Sequence, residues 1–187
     1  APSTNALLAL ATHMEAGKDQ KGAILLYRDW ADKNPEDVTV RIALADRLHR
    51  EGKIEEAMTF YQQILAIAPD NIVALNNMAW HIREEDPVKA LGYARKANTL
   101  SPDSAAILDT LAVIEFVNKN YGRAQRNIER ALLQAPEDPS LRYHSAMILA
   151  ALDNQPEATK ILQELTAEGA NFPELADAEA LLQTLSE

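Results

Sequence analysis

The sequence has no cysteine, which excludes disulfides and thiolate metal sites but leaves the redox compartment open. It has only 6 glycines in 187 residues, and these never cluster, so no glycine-rich phosphate cradle exists. Positive charge is scarce. The 18 Lys and Arg face 28 Asp and Glu, and the net charge of -10 argues against a nucleic-acid backbone as partner. No apolar run approaches the ~18 residues needed to cross a bilayer, so any membrane association must come through parts outside this chain. The opening "APSTNALLALA" lacks the basic flank and long apolar core of a signal peptide and reads as an excised or processed piece. β-Branched residues are sparse beside a large excess of Ala and Leu. With 47% of residues hydrophobic, the chain is expected to fold, and to fold as helix.

A repeat governs what is present. The segments "NPED", "APDN", "SPDS" and "APED" carry Pro35, Pro69, Pro102 and Pro136, spaced 34, 33 and 34. Ala23, Ala57, Ala90, Ala124 and Ala158 recur in phase, spaced 34, 33, 34 and 34, and each of the first four precedes its proline by 12 residues. Within one unit, Ile42, Ala45 and Leu48 form one helical stripe, and Ala57, Phe60, Tyr61, Ile64 and Leu65 form a second. Gly52 stands between them, where a helix end takes positive φ. The proline then closes the second helix. Asp37, Asn71, Ser104 and Asp138, and Ser3 at the start, stand where N-caps are needed. Pro87 falls in a turn one residue shorter than its neighbours and suits the first turn of the following helix.

This pattern resembles the tetratricopeptide repeat, a unit of two antiparallel helices. The matching residues are the small residue of the first helix (Ala45, Ala79, Ala112, Ala146), the alanine of the second and the closing proline. The resemblance implies an all-α, right-handed superhelical solenoid, a single array of five repeats near 4–37, 38–71, 72–104, 105–138 and 139–172. A capping helix over 173–187 follows, with Leu175, Ala178, Leu181, Leu182 and Leu185 as its stripe. Three departures stand out: an extra residue in the turn "AGKDQKGA", Glu115 where a large apolar residue is usual (with Phe116 available to fill the gap), and "AEGANFP" in place of a closing proline.

In this family the first helices line a concave groove that holds an extended peptide or a partner helix. The fifth and ninth positions of each unit, with their neighbours, give the candidate partner-binding residues. These are Ile42, Asp46 and Arg50; Asn76, Asn77 and Trp80; Asp109, Val113 and Phe116; and Tyr143, His144 and Met147. Successive units are expected to bring Trp80 towards Val113, and Asn76 towards Asp109 and Tyr143. Asn both donates to and accepts from a peptide backbone, and Trp adds a large rigid surface with one donor. Trp80 packed among its own neighbours, with the asparagines facing water, is the bland alternative. A family variant that clamps a terminal carboxylate uses basic residues at positions where Ile42, Asp46 and Asp109 stand, so that specificity does not carry over.

Catalysis finds no support. There is no HExxH and no nucleophile–base spacing, and His13, His49, His81 and His144 sit in different repeats at unmatched positions. His144 beside Tyr143 is the best single candidate, but a groove or packing histidine is the simpler reading. The chain is therefore expected to be non-enzymatic, without cofactor or metal, and to bind a protein or peptide rather than nucleic acid.

A narrower resemblance rests on "ALNNMAWHIREEDPVKALGYARKANTLSPDSAAILDTLA", "APEDPSLRYHSAMILAALDNQPEATKILQEL" and "NFPELADAEALLQTL". These are similar to the C-terminal part of the large tetratricopeptide lipoproteins of bacterial exosortase (PEP-CTERM) systems. That resemblance implies a periplasmic or outer-membrane-associated protein serving protein sorting or exopolysaccharide export, with further repeats upstream. Cellulose or alginate export arrays and a cytoplasmic co-chaperone-like adaptor are the alternatives. Loss of an upstream neighbour would expose some of Leu7, Leu8 and Leu10 and favour self-association through the first repeat.

Overall fold

The structure, a computed structural model, describes residues 3–167 and 170–186, so two residues of "AEGANFP" lie outside the described residues. Among the described residues there are eleven α-helices and no strand, the all-α class expected. The chain divides into two compact units, residues 1–81 and 82–187, and each is described by itself. The division falls inside the third expected repeat.

Unit 1 contains α1 (Thr4–Ala16), α2 (Gln20–Lys33), α3 (Val38–Arg50), α4 (Ile54–Ile67) and α5 (Ile72–His81). Each helix packs on the next in sequence, and α1 also reaches α3. Unit 2 contains α6 (Pro87–Leu100), α7 (Ala105–Val117), α8 (Tyr121–Gln134), α9 (Pro139–Ala151), α10 (Gln155–Leu165) and α11 (Leu175–Ser186). Here too each helix packs on the next, α7 touches α9, and α11 lies against α10 and α9.

The small residues explain this packing. Ala11, Ala45, Ala79, Ala112 and Ala146 on the first helices, and Ala23, Ala57, Ala90, Ala124 and Ala158 on the second, are all at 0% exposure. A methyl side chain at these points lets neighbouring backbones approach without a void. Around them pack larger side chains. Unit 1 buries Leu44, Leu48, Tyr61 and Ile64, and unit 2 groups Leu108, Ile128, Leu141 and Ile148 in one cluster. In the cap, Ala146, Ala158, Leu162 and Ala178 are buried, and Phe172, Leu181, Leu182 and Leu185 close over them half-exposed.

Helix ends follow local chemistry. Asn34, Ala68, Ser101 and Ala135 precede the repeat prolines and all leave the helical region, with φ between -145° and -128° and ψ between 71° and 83°. Clash with the proline ring disfavours helical backbone at the residue before it. Asp37, Asn71 and Asp138 cap the next helices through their side-chain oxygens, as does Ser3 for α1; Ser104 occupies the cap position without a side-chain bond. Pro87 is the first residue of α6, with Asp86 capping the Lys89 amide at 3.0 Å.

The turn between the two helices of a unit uses one device four times. Lys18, Gly52, Lys119 and Asp153 have φ of 65°, 73°, 60° and 60°. In each case the next residue donates to the carbonyl five residues earlier: Asp19 to Met14, Lys53 to Leu48, Asn120 to Glu115 and Asn154 to Leu149. Such a bond satisfies a last-turn carbonyl and requires a left-handed residue just before the donor. The expectation was confined to Gly52; the other three turns accept the strain with Lys or Asp.

Candidate functional site: the first-helix face

In unit 1 the face starts on α3. Ile42 is half-buried and Arg50 is exposed. Asp46 is half-buried and committed internally, because it accepts from the hydroxyl of fully buried Tyr61 on α4 at 2.8 Å. Burial, together with the bond to and charge of Asp46, pushes the Tyr61 phenol well above its ordinary value, so it remains a donor. Asp46 thus ties α3 to α4 before it can serve any partner.

On α5, Ala74, Leu75, Met78 and Ala79 turn inward, and the helical period leaves Asn76, Asn77 and Trp80 half-buried. The Asn76 Oδ1 is buried and has no hydrogen-bond partner, and among the described residues Asn77 forms no side-chain hydrogen bond. The Asn76 oxygen is the unusual one, since buried polar groups are normally paired, whereas the half-exposed Asn77 amide is open to water. His81, at the end of α5, meets His49 of α3 edge to face at 4.8 Å.

In unit 2 the face joins α7 to α9. The His144 Nδ1 lies 2.7 Å from the Asp109 Oδ1, an arrangement in which the imidazole N–H donates to the carboxylate. His144 is buried, so the pair works first as a staple between two first helices. Tyr143 stacks at a tilt on His144, ring centres 5.5 Å apart, and packs against the cap cluster. Burial, then the nearby Asp177 and Glu174 carboxylates, raises its phenol. Met147 is half-buried against the Leu108–Ile148 cluster.

Two of the expected groove residues are absorbed by packing. Val113 is buried, and Phe116 packs on the core with its ring 5.5 Å from Tyr121. Phe116 lies in the last turn of α7, where the chain reverses, and α8 meets it there. Glu115 is buried at 2% exposure, one oxygen 2.9 Å from Arg95 and the other without a partner. The expected approaches of Trp80 to Val113 and of Asn76 to Asp109 and Tyr143 join residues of different units and remain expectations. At the first repeat Leu7 is buried, Leu8 half-buried and Leu10 51% exposed.

Sequence reasoning missed three polar anchors. Asp37, expected only as a cap, also accepts from Thr4 at 2.7 Å and Trp30 at 2.8 Å. Burial works to raise its carboxyl, but these bonds outweigh it and hold the group below its ordinary value. Ser140 to Glu174, 2.7 Å, repeats the Thr4 arrangement one helix pair from the other end. Arg41 is almost wholly buried and donates to three oxygens. The shared 33- to 34-residue separation of the first two contacts was the available signal. Among the described residues no group of His, Asp or Glu is placed to hold a metal, and no helix is long and apolar enough to cross a membrane.

Two models described as tetratricopeptide repeat match the chain, over residues 8–72 and 116–182. A TPR repeat-containing protein of Pseudomonas aeruginosa is 31% identical over 110 residues, a match covering 55% of this chain but only 18% of that protein. Among solved structures, a tetratricopeptide repeat protein from Parabacteroides merdae superposes with a TM-score of 0.73 at 21% identity, covering 96% of this chain and 72% of its own. PilW, a type IV pilus biogenesis factor, gives 0.74 at 18% identity, covering 97% of this chain and 88% of its own. YrrB, described as having an unusual peptide-binding site, gives 0.63 at 20% identity, covering 85% and 81%.

Proposed function

Because this chain belongs to the tetratricopeptide-repeat family, we propose that it is a non-catalytic scaffold that holds a polypeptide segment against its first-helix face. The observation that carries this is the α5 cluster. Asn77 places an accessible amide without a side-chain bond near Trp80, a large ring left half-buried, whereas the unpaired Asn76 Oδ1 is enclosed and reaches a partner only if its side chain turns outward. An extended backbone supplies the donors and acceptors such amides lack, and indole supplies apolar area at little entropic cost. The other first-helix residues assist differently. Within unit 1, Arg50 offers an exposed charge and Asp46 ties α3 to α4; within unit 2, the Asp109–His144 pair ties α7 to α9.

The test is selection of displayed random peptides on the full chain, followed by affinity measurement with Asn77→Ala and Asn76→Ala. Each substitution should weaken the selected peptides by about tenfold, the equivalent of one to two hydrogen bonds, with the helical circular dichroism unchanged. Selected peptides that ignore both substitutions would overturn the assignment of the site.

The finer reading is that the partner belongs to an envelope sorting or exopolysaccharide export system. It rests on the resemblance of the segments around Asn76–Trp80, Leu108–Leu111 and Arg142–His144 to exosortase-system lipoproteins. Cellulose or alginate export and a cytoplasmic adaptor role are the competing placements, and affinity capture from separated envelope and cytoplasmic extracts distinguishes them. Leu10 also supports self-association through the first repeat. Sedimentation should then give a concentration-dependent dimer lost in Leu10→Gln; a clean monomer at high concentration refutes it.

A further inference from the structure

Unit 2 carries a second feature, at its turns rather than on its first-helix face. An open cavity of about 420 Å³ lies where the α7–α8 turn and the start of α8 meet the end of α9. Its lining includes Lys119, Tyr121, Arg123, Arg126 and Leu152. Three cations thus converge on one hollow in a chain that has ten more acidic than basic residues. Several other arginines are matched to an acid, Arg28 with Glu56, Arg95 with Glu115, Arg130 with Asp103 and Arg142 with Glu164, whereas Arg41 is spent on neutral oxygens and Arg50 on α3 has no ion pair among the described residues. Lys119, Arg123 and Arg126 form no ion pair among the described residues. The nearest acids in sequence to these cations, Glu115 and Glu129, do not line the hollow, nor does Asp153 beside Leu152. In so acidic a chain, three unmatched cations around one concavity are what a negatively charged ligand requires.

Shape and composition narrow the ligand. Leu152 at the rim is 37% exposed, and Tyr121 beside it is half-buried against Phe116. These two side chains add apolar contact area beside the charges. The comparable hollow between α2 and α4, lined by Lys21, Leu25, Arg28 and Lys53, contains Glu56, and its Arg28 and Lys53 are paired with Glu56 and Glu51. It is therefore not poised for an anion. A long polyanion on the α8 hollow would run out over the acidic remainder of the surface, whereas a short acidic segment would meet only the cations.

We propose that the hollow formed by Lys119, Arg123, Arg126, Tyr121 and Leu152 docks a short acidic polypeptide segment bearing an apolar residue, separately from the first-helix face. Its carboxylates would sit against the two guanidinium groups and the ammonium, and its apolar side chain on Leu152 and Tyr121. Guanidinium suits this role because it bonds carboxylate in a bidentate manner and is weakly hydrated.

The test uses the full chain and a fluorescein-labelled peptide of glutamates around a single leucine, followed by anisotropy. Binding should weaken with added salt. Arg123→Glu with Arg126→Glu should weaken it by about tenfold, since each reversal replaces a surface attraction with a repulsion. Lys160→Glu, an exposed reversal on α10, should change it by less than about twofold, which sets aside the effect of overall charge. Arg123→Gln with Arg126→Gln gives the milder loss should the double reversal disturb α8. Equal loss in the Lys160→Glu control overturns the proposal. So does equal binding of a lysine-for-glutamate peptide, or tighter binding of a single-stranded oligonucleotide. Asn77→Ala should leave this binding unchanged, which separates failure here from failure of the first-helix site.

Discussion

Arg41→Met is the sharpest test of how the repeats are joined. Arg41 is 8% exposed, and its guanidinium bonds groups at the end of α2, in the α2–α3 turn and on α4. It donates from Nε to the Pro35 carbonyl at 2.9 Å, from Nη1 to Gln63 Oε1 at 2.9 Å and from Nη2 to the Ala31 carbonyl at 3.1 Å. These three bonds are unequal. Gln63 and Pro35 are exposed, so water replaces the donor there at little cost. The Ala31 carbonyl lies in the last turn of α2, where no helical N–H reaches it, and Ala31 is 1% exposed. Methionine keeps much of the aliphatic volume and removes every donor. Leaving that one carbonyl unmet costs about 1–3 kcal/mol, and the two exposed bonds add at most about 1 more. The loss should therefore be about 1–4 kcal/mol. Urea unfolding followed by circular dichroism measures it, with Gln63→Ala as the control at under about 0.5 kcal/mol. If Arg41→Met loses no more than Gln63→Ala, the buried carbonyl does not need its donor and the anchor is misread.

The remaining predictions use the same measurement. Lys18→Gly and Asp153→Gly should each stabilise by roughly 0.5–1 kcal/mol, and Gly52→Ala should destabilise by about 1, because left-handed φ is free of strain only for glycine. A null result at all three would deny that the shared turn is strained. Arg95→Ala should cost about 2 kcal/mol by stranding the buried Glu115 carboxylate, whereas Glu115→Leu with Arg95→Leu should be close to neutral; equal losses would refute this. The Asp37 carboxyl is held below its unfolded value, so its contribution is complete above about pH 4 and is lost as pH falls through the lower, folded value. Asp37→Asn keeps a cap but should flatten that acid limb, and an unchanged acid midpoint would count against the Thr4 and Trp30 bonds as its cause.

Much of the fold was legible because a repeat states each local rule several times. The prolines located the ends of the second helices, and the cap residues located the starts at Val38, Ile72, Ala105 and Pro139. The alanines named the close contacts, and each is at 0% exposure. Legibility of the candidate site was poorer. The helical period correctly left Asn76, Asn77 and Trp80 off the innermost stripe, but it could not distinguish an open ninth position from a closed one. Val113 and Met147 hold equivalent places in the repeat, yet Val113 is buried and Met147 is half-open.

What the sequence determined by itself was whatever is decided within about one helical turn. This covers where helices start and stop, which face is apolar, and where a small side chain is required, since caps, prolines and periodicity act on neighbours in the chain. Tertiary structure alone decided the polar partners. Asp46 meets Tyr61 across 15 residues, Asp37 meets Thr4 across 33, and His144 meets Asp109 across 35. The cations of the α8 hollow collect around Leu152, far along the chain from them. Hydrogen bonds and ion pairs depend on distances of a few tenths of an ångström between groups brought together by packing, and no local pattern in a chain specifies those.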